Sequence, residues 1–307
     1  MKVTGNSRRL GQTDLEVGPM AYGLWRFVGR DVTAARARIE AALEAGMTLI
    51  DIAAAYGLEW GGSAFGESEA LLGKVLAEAR GLRRRMVLAT KFGITPGVPY
   101  DSSAEAVVKS CEDSLMRLGT DVIDLFQVQR PDVLTHPSEL AEALARLRNQ
   151  GKIREAGVSN YNARQTLLLQ QFLPFPLATL QPEFSALAVE AAFDGVLDYA
   201  ISRQMTPLAW SPLAGGRLAS DAAARHTKEG ERLGHVTAKL DEIAKRDGVA
   251  RVAVALAFVM RHPSGPIPIV GTQNPARIAA ANDALRVNLS RADWYAILVA
   301  SQGTALP

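Results

Sequence analysis

Eight short apolar runs alternate with helical stretches along almost the whole chain. Few folds accommodate that order. The runs are Pro19 to Gly23, Thr48 to Asp51, Met86 to Lys91, Val122 to Val128, Ile153 to Ser159, Leu177 to Gln181, Pro207 to Ser211 and Ile267 to Val270. Their length suits buried strands. Between them the spacing predicts helices. Asp31 or Thr33 caps one with Ala35, Ile39, Ala42 and Leu43 on its inner face. Others cover Glu67 to Arg80, Ser103 to Leu118, Ser138 to Asn149, Asn162 to Gln171 and Asp194 to Arg203. Two more, Arg232 to Arg246 and Ala250 to Arg261, precede the eighth strand, and Pro275 to Leu285 and Arg291 to Ala300 follow it. The order predicts a single α/β domain over residues 1–307, a (β/α)8 TIM barrel with extra C-terminal helices. Ser7 to Val17, with a turn at Gly11 to Asp14, predicts an N-terminal β-hairpin. A doubly wound sheet is the rival, but the G-x-G-x-x-G fingerprint is absent.

Composition excludes several functions. The chain is 48% hydrophobic and 21% charged with net charge +2, ordinary for a protein with a large core. The densest basic cluster, Arg83-Arg84-Arg85, reads as a solvated helix-to-strand connection, and no nucleic-acid partner is expected. Cys111 is the only cysteine, which rules out an intramolecular disulfide or a cysteine metal cluster. Its spacing with Val107, Val108, Leu115 and Leu118 places it in the core. The N-terminus shows no apolar leader, and Val252 to Met260 is too short to span a bilayer, so no membrane partner is expected and a cytoplasmic location is.

In a parallel barrel the carboxyl ends of the strands face one site. The polar residues there are Asp51, Lys91, Gln129, Ser159 with Asn160, Gln181, Trp210 with Ser211, and Gly271 with Thr272; Tyr56 lies in a loop on the same side. Taken alone, Asp51 is a local cap and Tyr56 a loop aromatic. Taken together, Asp51 and Lys91 end neighbouring strands and can pair. A lysine beside a tyrosine stabilises the phenolate and eases loss of its proton.

Asp51-x4-Tyr56-Gly57, Gly66-x-Ser68-Glu69, Thr90-Lys91 and Asp124-Leu125-x3-Gln129-Arg130-Pro131-Asp132 run in order. Gly157-Val158-Ser159-Asn160, Gln181, Trp210-Ser211-Pro212-Leu213 and Ile267 to Thr272 follow. In this register the chain resembles an aldo-keto reductase, and Arg-Pro-Asp after the fourth strand resembles a bacterial oxidoreductase branch of that superfamily. The resemblance implies hydride transfer from NADPH to an aldehyde or ketone. It implies Tyr56 as proton donor, Lys91 as the residue that lowers its pKa, and Asp51 as the residue that orients Lys91. Ser159, Asn160 and Gln181 would hold the nicotinamide carboxamide, and Trp210 would stack on its ring. Ser211, Leu213, Gly215 and Arg217 would line the pyrophosphate. Gly271, Thr272, Gln273 and Arg277 would take the adenosine phosphate.

One position departs from the pattern. The tetrad of the resembling enzymes ends in histidine, and this chain has Gln129. Glutamine keeps a hydrogen-bond donor and loses titration. Of His136, His226, His235 and His262, none falls at a strand end. Two readings stay open for Gln129: it still polarises a carbonyl, or it is tuned to another substrate. Two other functions compete with the reductase. An NADPH-binding sensor or interaction protein would turn over little. A metal-dependent hydrolase would need clustered His and carboxylate ligands, and only Asp51 sits at a strand end. The substrate pocket is expected to be walled by Trp25, Tyr56 and Trp60, and with Tyr22 these favour an apolar or aromatic substrate. The Leu213 to Gly230 connection, with Arg217 and Arg225, is expected to act as a lid over the cofactor.

Overall fold

The computed structural model describes residues 7–220 and 227–304. Strands β1 (Arg8–Arg9) and β2 (Glu16–Val17) form the antiparallel hairpin. Strands β3 (Ala21–Gly23), β4 (Leu49–Asp51), β5 (Val87–Phe92), β6 (Ile123–Val128), β7 (Ile153–Ser159), β8 (Thr179–Gln181), β9 (Thr206–Ala209) and β10 (Ile267–Val270) close a parallel barrel, with β10 pairing back onto β3. The crossovers carry α1 (Val32–Glu44), α2 (Glu67–Glu78), α3 (Ala104–Leu118), α4 (Pro137–Asn149), α5 (Ala163–Phe172) and α6 (Val196–Arg203). Next come α7 (Lys228–Asp247) and α8 (Arg251–Met260), and after β10 come α9 (Pro275–Ala280) and α10 (Arg291–Gln302).

The pleat sorts the side chains into two cores, because successive residues of a strand point to opposite faces. Ala21, Leu49, Ala89, Leu125, Leu208 and Ile269 fill the barrel together with Leu10, Leu15 and Val17 of the hairpin. Their neighbours Tyr22, Ile50, Leu88, Phe126, Val158 and Leu180 face the helices. The hairpin closes the amino-terminal end of the barrel. There Gly11 N–H donates to Thr206 Oγ1 at 2.7 Å, and Arg8 Nη1 donates to Gly265 O at 2.7 Å.

Local chemistry starts the helices. Asp31 caps α1, and Asn162 and Ser290 form capping boxes with Gln165 and Asp293. His136 is the N-cap of α4, its Nδ1 accepting from Ser138 N–H. Cys111 is fully buried, and burial pushes its thiol up to about 12.

Some boundaries differ from the expectation. The seventh strand is Thr206–Ala209; beyond it Trp210 keeps a single parallel bridge to Glu183, and the chain turns away at Ser211, with φ of +49°. After it, Ala214–Ala219 hold 3-10 turns broken by a kink at Gly215 and Gly216, and α7 begins at Lys228 with Thr227 as its cap. Arg225 and His226 lie outside the described residues. The helix expected over Pro275 to Leu285 tightens to a 3-10 turn after Ala280. Arg83 is not a solvated connector. It pairs with the buried Asp124 at 2.8 Å and donates to Val122 O, closing the start of β5 onto β6. Among the described residues no helix is long and apolar enough to cross a membrane, and no His, Cys, Asp and Glu cluster could hold a metal ion.

Candidate active site

Asp51 ends β4 and Lys91 lies on the neighbouring β5, both pointing into the barrel. Each is almost wholly buried, at 2% and 1% exposure. A buried lysine needs all its donors met. Lys91 Nζ donates to Asp51 Oδ2 at 2.6 Å, to Ile52 O at 2.9 Å and to Tyr56 OH at 3.0 Å. Those are three acceptors for three N–H bonds. Burial works against the ammonium, but Asp51, then Tyr56, outweigh it and hold the Lys91 pKa above the usual lysine value.

The loop carrying Tyr56 hangs from the same strand. Ala54 N–H donates to Lys91 O at 3.2 Å, and Gly66 N–H closes the loop onto Ala54 O at 2.8 Å. Tyr56 is thereby set over Lys91, whose Nζ is 4.8 Å from the ring centroid.

From Asp51 a polar chain runs across the strand ends. Gln181 Nε2 donates to Asp51 Oδ1 at 3.0 Å, and Ser159 Oγ donates to Gln181 O at 3.0 Å. Asn160 Nδ2 donates to Ser159 Oγ at 3.0 Å, and Trp210 Nε1 donates to Asn160 Oδ1 at 3.0 Å. Asp51, Tyr56, Lys91, Ser159, Asn160, Gln181 and Trp210 are therefore joined in one hydrogen-bonded chain at the carboxyl ends of the strands. Asn160, Ser211 and Ala214 all adopt left-handed backbone, with φ of +59°, +49° and +50°. Each such non-glycine residue costs about 1–3 kcal/mol, and that strain collects at functional sites.

Gln129 follows β6. Its N–H donates to Phe92 O at 2.8 Å, and its carbonyl accepts from Asn160 Nδ2 at 3.0 Å. Both backbone groups are thus tied to the strands of the site. Its side-chain Oε1 is buried and meets no partner among the described residues. Of the described histidines, His136 caps α4, His235 lies exposed on α7, and His262 packs against Phe184 and Trp294.

Two residues of the site were missed in the sequence. Gln127 is fully buried inside the barrel, donates to Asp51 Oδ1 at 3.3 Å and accepts from Thr179 Oγ1 at 3.0 Å. Together Gln127 and Thr179 make a polar floor beneath Asp51. The available signal was alternation: Leu125, Gln127 and Gln129 share a parity in the strand run.

The remaining candidates lie around this centre. Trp25 and Trp60 stand edge to face with ring centroids 5.3 Å apart, both partly exposed. Arg26 lies 4.3 Å over the Trp60 ring and donates to Gly215 O at 3.0 Å, which joins three loops. Leu213 packs on the outer core, and Arg217 pairs with Glu229 while Nε donates to Ala214 O at 3.0 Å. Gly271 is exposed, Thr272 O accepts from Tyr22 OH at 3.1 Å, and Gln273 Nε2 donates to Tyr22 OH at 3.4 Å. Gln273 Oε1 is a second buried acceptor without a partner among the described residues. Arg277 is exposed in the first turn of α9, whose Ala276 and Arg277 N–H groups are met by Asn274 Oδ1. Tyr22 does not wall the mouth: it is fully buried on the outer face of β3.

Comparison with known proteins gives a consistent result. The model of the Aldo/keto reductase family matches residues 19–300. A 6-dehydroglucose reductase of Novosphingobium aromaticivorans is 47% identical over 98% of this chain and 97% of its own length. A 6-dehydroglucose reductase of Agrobacterium fabrum is 37% identical over 96% of this chain and 98% of its own. The solved glycerol dehydrogenase of Gluconobacter oxydans superposes with a TM-score of 0.84 at 26% identity, covering 99% of this chain and 98% of the other.

Proposed function

We propose that this chain, which belongs to the aldo/keto reductase family, is a cytoplasmic NADPH-dependent reductase of a hydroxylated aldehyde, with Tyr56 as proton donor. The observation that carries the reading is the three-way contact of Lys91 Nζ with Asp51, Ile52 O and Tyr56. Lys91 donates to the phenol oxygen, so the proton to be given away is the tyrosine's own. A positive charge 3.0 Å from that oxygen favours the phenolate left after transfer. Asp51 keeps the lysine charged, and Gln127 and Gln181 hold Asp51 with its lone pairs occupied.

The residues fit a dinucleotide: Asn160 and Gln181 carry amides at the strand ends, Trp210 offers a ring, and Arg277 is an exposed cation in the first turn of α9. Ser159, Asn160 and Gln181 would hold the carboxamide, Trp210 the ring, and Ser211, Leu213, Gly215 and Arg217 the pyrophosphate. Gly271, Thr272, Gln273 and Arg277 would take the adenosine phosphate, and the arginine favours NADPH over NADH. When bound, NADPH supplies the hydride.

Two relatives named 6-dehydroglucose reductase support a sugar-like aldehyde as substrate. Trp25 and Trp60 can stack on the C–H face of such a molecule. The Gln129 amide can donate through Nε2 to the carbonyl. The two relatives favour a hydroxylated substrate over the apolar or aromatic one expected from the aromatics alone.

The test is tryptophan-fluorescence titration with NADPH and NADH, followed by an aldehyde panel that includes a hexose carrying a 6-aldehyde. Tight NADPH binding and turnover of the hexose aldehyde are expected. Tyr56→Phe should keep NADPH binding and lose roughly 10²–10⁴-fold in turnover. NADPH binding without turnover of any carbonyl would favour the sensor reading instead, and no binding of either nucleotide would remove both.

A further inference from the structure

A second buried ion pair lies outside the barrel, and the proton-donor reading makes no use of it. Glu69 on α2 is fully buried. Its Oε1 accepts from Thr90 Oγ1 at 2.5 Å, and its Oε2 accepts from Arg117 Nε at 2.7 Å and Ser114 Oγ at 3.3 Å. Thr90 immediately precedes Lys91, and the pleat sends it to the helix side of β5 as Lys91 goes inward. Glu69 therefore grips the strand of Lys91 from behind.

The same cluster grips the Tyr56 loop. That loop ends at Gly66, three residues before Glu69, in left-handed backbone with φ of +80°. The Arg117 side chain lies against Gly66 so closely that a Cβ there would sit 2.5 Å from Arg117 Cδ. Arg117 also reaches the ring of Phe65, with its guanidinium 5.8 Å from the centroid. One α3 residue thus touches the end of the tyrosine loop and, through Glu69 and Thr90, the lysine strand. A buried carboxylate that served packing alone would be a poor choice, since apolar residues of similar volume often stabilise as well or better.

We infer that Glu69 is a positioning residue: with Arg117 and Thr90 it fixes the distance between Tyr56 and Lys91 from outside the barrel. The inference rests on the proposed role of Tyr56. The Lys91 ammonium faces Tyr56, and Asp51 acts on it through that ammonium. Glu69 sets the spacing of Tyr56 and Lys91 through the backbone of β5 and the loop.

Titration of Tyr56 tests this without relying on turnover. Tyrosine ring carbons are labelled with carbon-13, Tyr56→Phe assigns the signal, and its pKa is read by NMR in the wild type, in Glu69→Gln and in Thr90→Val. Glu69→Gln keeps the shape and removes the charge; Thr90→Val cuts only the strand arm. In the wild type Tyr56 should titrate below an ordinary phenol. Both variants should raise it by about one unit as the Lys91 contact loosens, with turnover falling at least tenfold and NADPH binding retained. The sign is diagnostic. Removing the Glu69 anion without moving Tyr56 would favour the phenolate and lower the value. A Tyr56 pKa in the variants that matches or falls below the wild type overturns the inference while leaving the proton-donor reading intact. An ordinary phenol value in the wild type overturns both.

Discussion

At the scale of the residue, Lys91 decides most. A lysine at 1% exposure remains charged only because its three donors are met, and Asp51 supplies the counter-charge. Its raised pKa ties the site to stability. A group whose pKa rises on folding stabilises fully below its unfolded value, about 10.4 for lysine, and that contribution is lost as pH climbs through the folded value. Urea midpoints of the wild type and Lys91→Met should therefore differ by a constant amount at neutral pH and converge above about pH 10.4. A difference that grows in alkali would contradict the raised pKa. Gln129 is the other decisive residue. Its amide has a donor for a carbonyl but no titration. Gln129→His should raise turnover with some carbonyl substrate, by less than the ~10²–10⁴-fold of a full general acid, since that role is the one proposed for Tyr56. No gain across a broad aldehyde and ketone panel would instead mark Gln129 as tuned to one substrate.

At the scale of the element, β7 shows how a strand makes room for a site. Gly157 stands opposite Thr179 in the register, and a Cβ there would lie 2.1 Å from Thr179 Oγ1 and 3.2 Å from Gln127 Cγ. The missing side chain lets Thr179 reach Gln127, and Gln127 reach Asp51. Gly157→Ala should cost about 1–3 kcal/mol by overpacking, read as a lower denaturant midpoint, and should reduce turnover by disturbing the support of Asp51. Unchanged stability would mean that Thr179 can move aside without loss. Another element-scale device joins α7 to α10. Arg246 Nη1 meets both Asp293 carboxylate oxygens at 2.9 Å, and Arg246 also pairs with Asp247 at 2.6 Å. The hydrogen bonds from Arg246 hold the Asp247 carboxyl below its usual range. That contribution is present above the unfolded aspartate value and is lost as pH falls through the lowered one.

At the scale of the whole molecule, the barrel depends on its stopper. Leu10, Leu15 and Val17 complete the interior core that the strands cannot fill alone. Leu10 is fully buried, so Leu10→Ala should cost about 2–5 kcal/mol. It should leave the distance from Lys91 to Tyr56, and hence turnover, unchanged at temperatures where the protein stays folded. Activity lost in parallel with stability would show that the two ends of the barrel are coupled.

The architecture and the grouping of polar residues at the strand ends can both be read from the periodicity of the chain. Eight apolar runs in alternation with helices need neighbours that cover both faces, and a closed parallel barrel supplies them. Asp51, Tyr56, Lys91, Ser159, Asn160, Gln181 and Trp210 were legible because each sits at or just beyond the carboxyl end of such a run. Other features were decided only by the tertiary structure. Gln127 looked like one polar residue in an apolar strand, and its role depends on Thr179, 52 positions away in the chain. Arg83 looked solvated until β6 brought Asp124 beside it. Tyr22 looked like part of the mouth until the pleat turned it outward. The physical reason is the same in each case. Periodicity and local capping are encoded within a few residues, whereas the partner of a buried polar group is set by strand register and crossover packing, which join residues far apart in the chain.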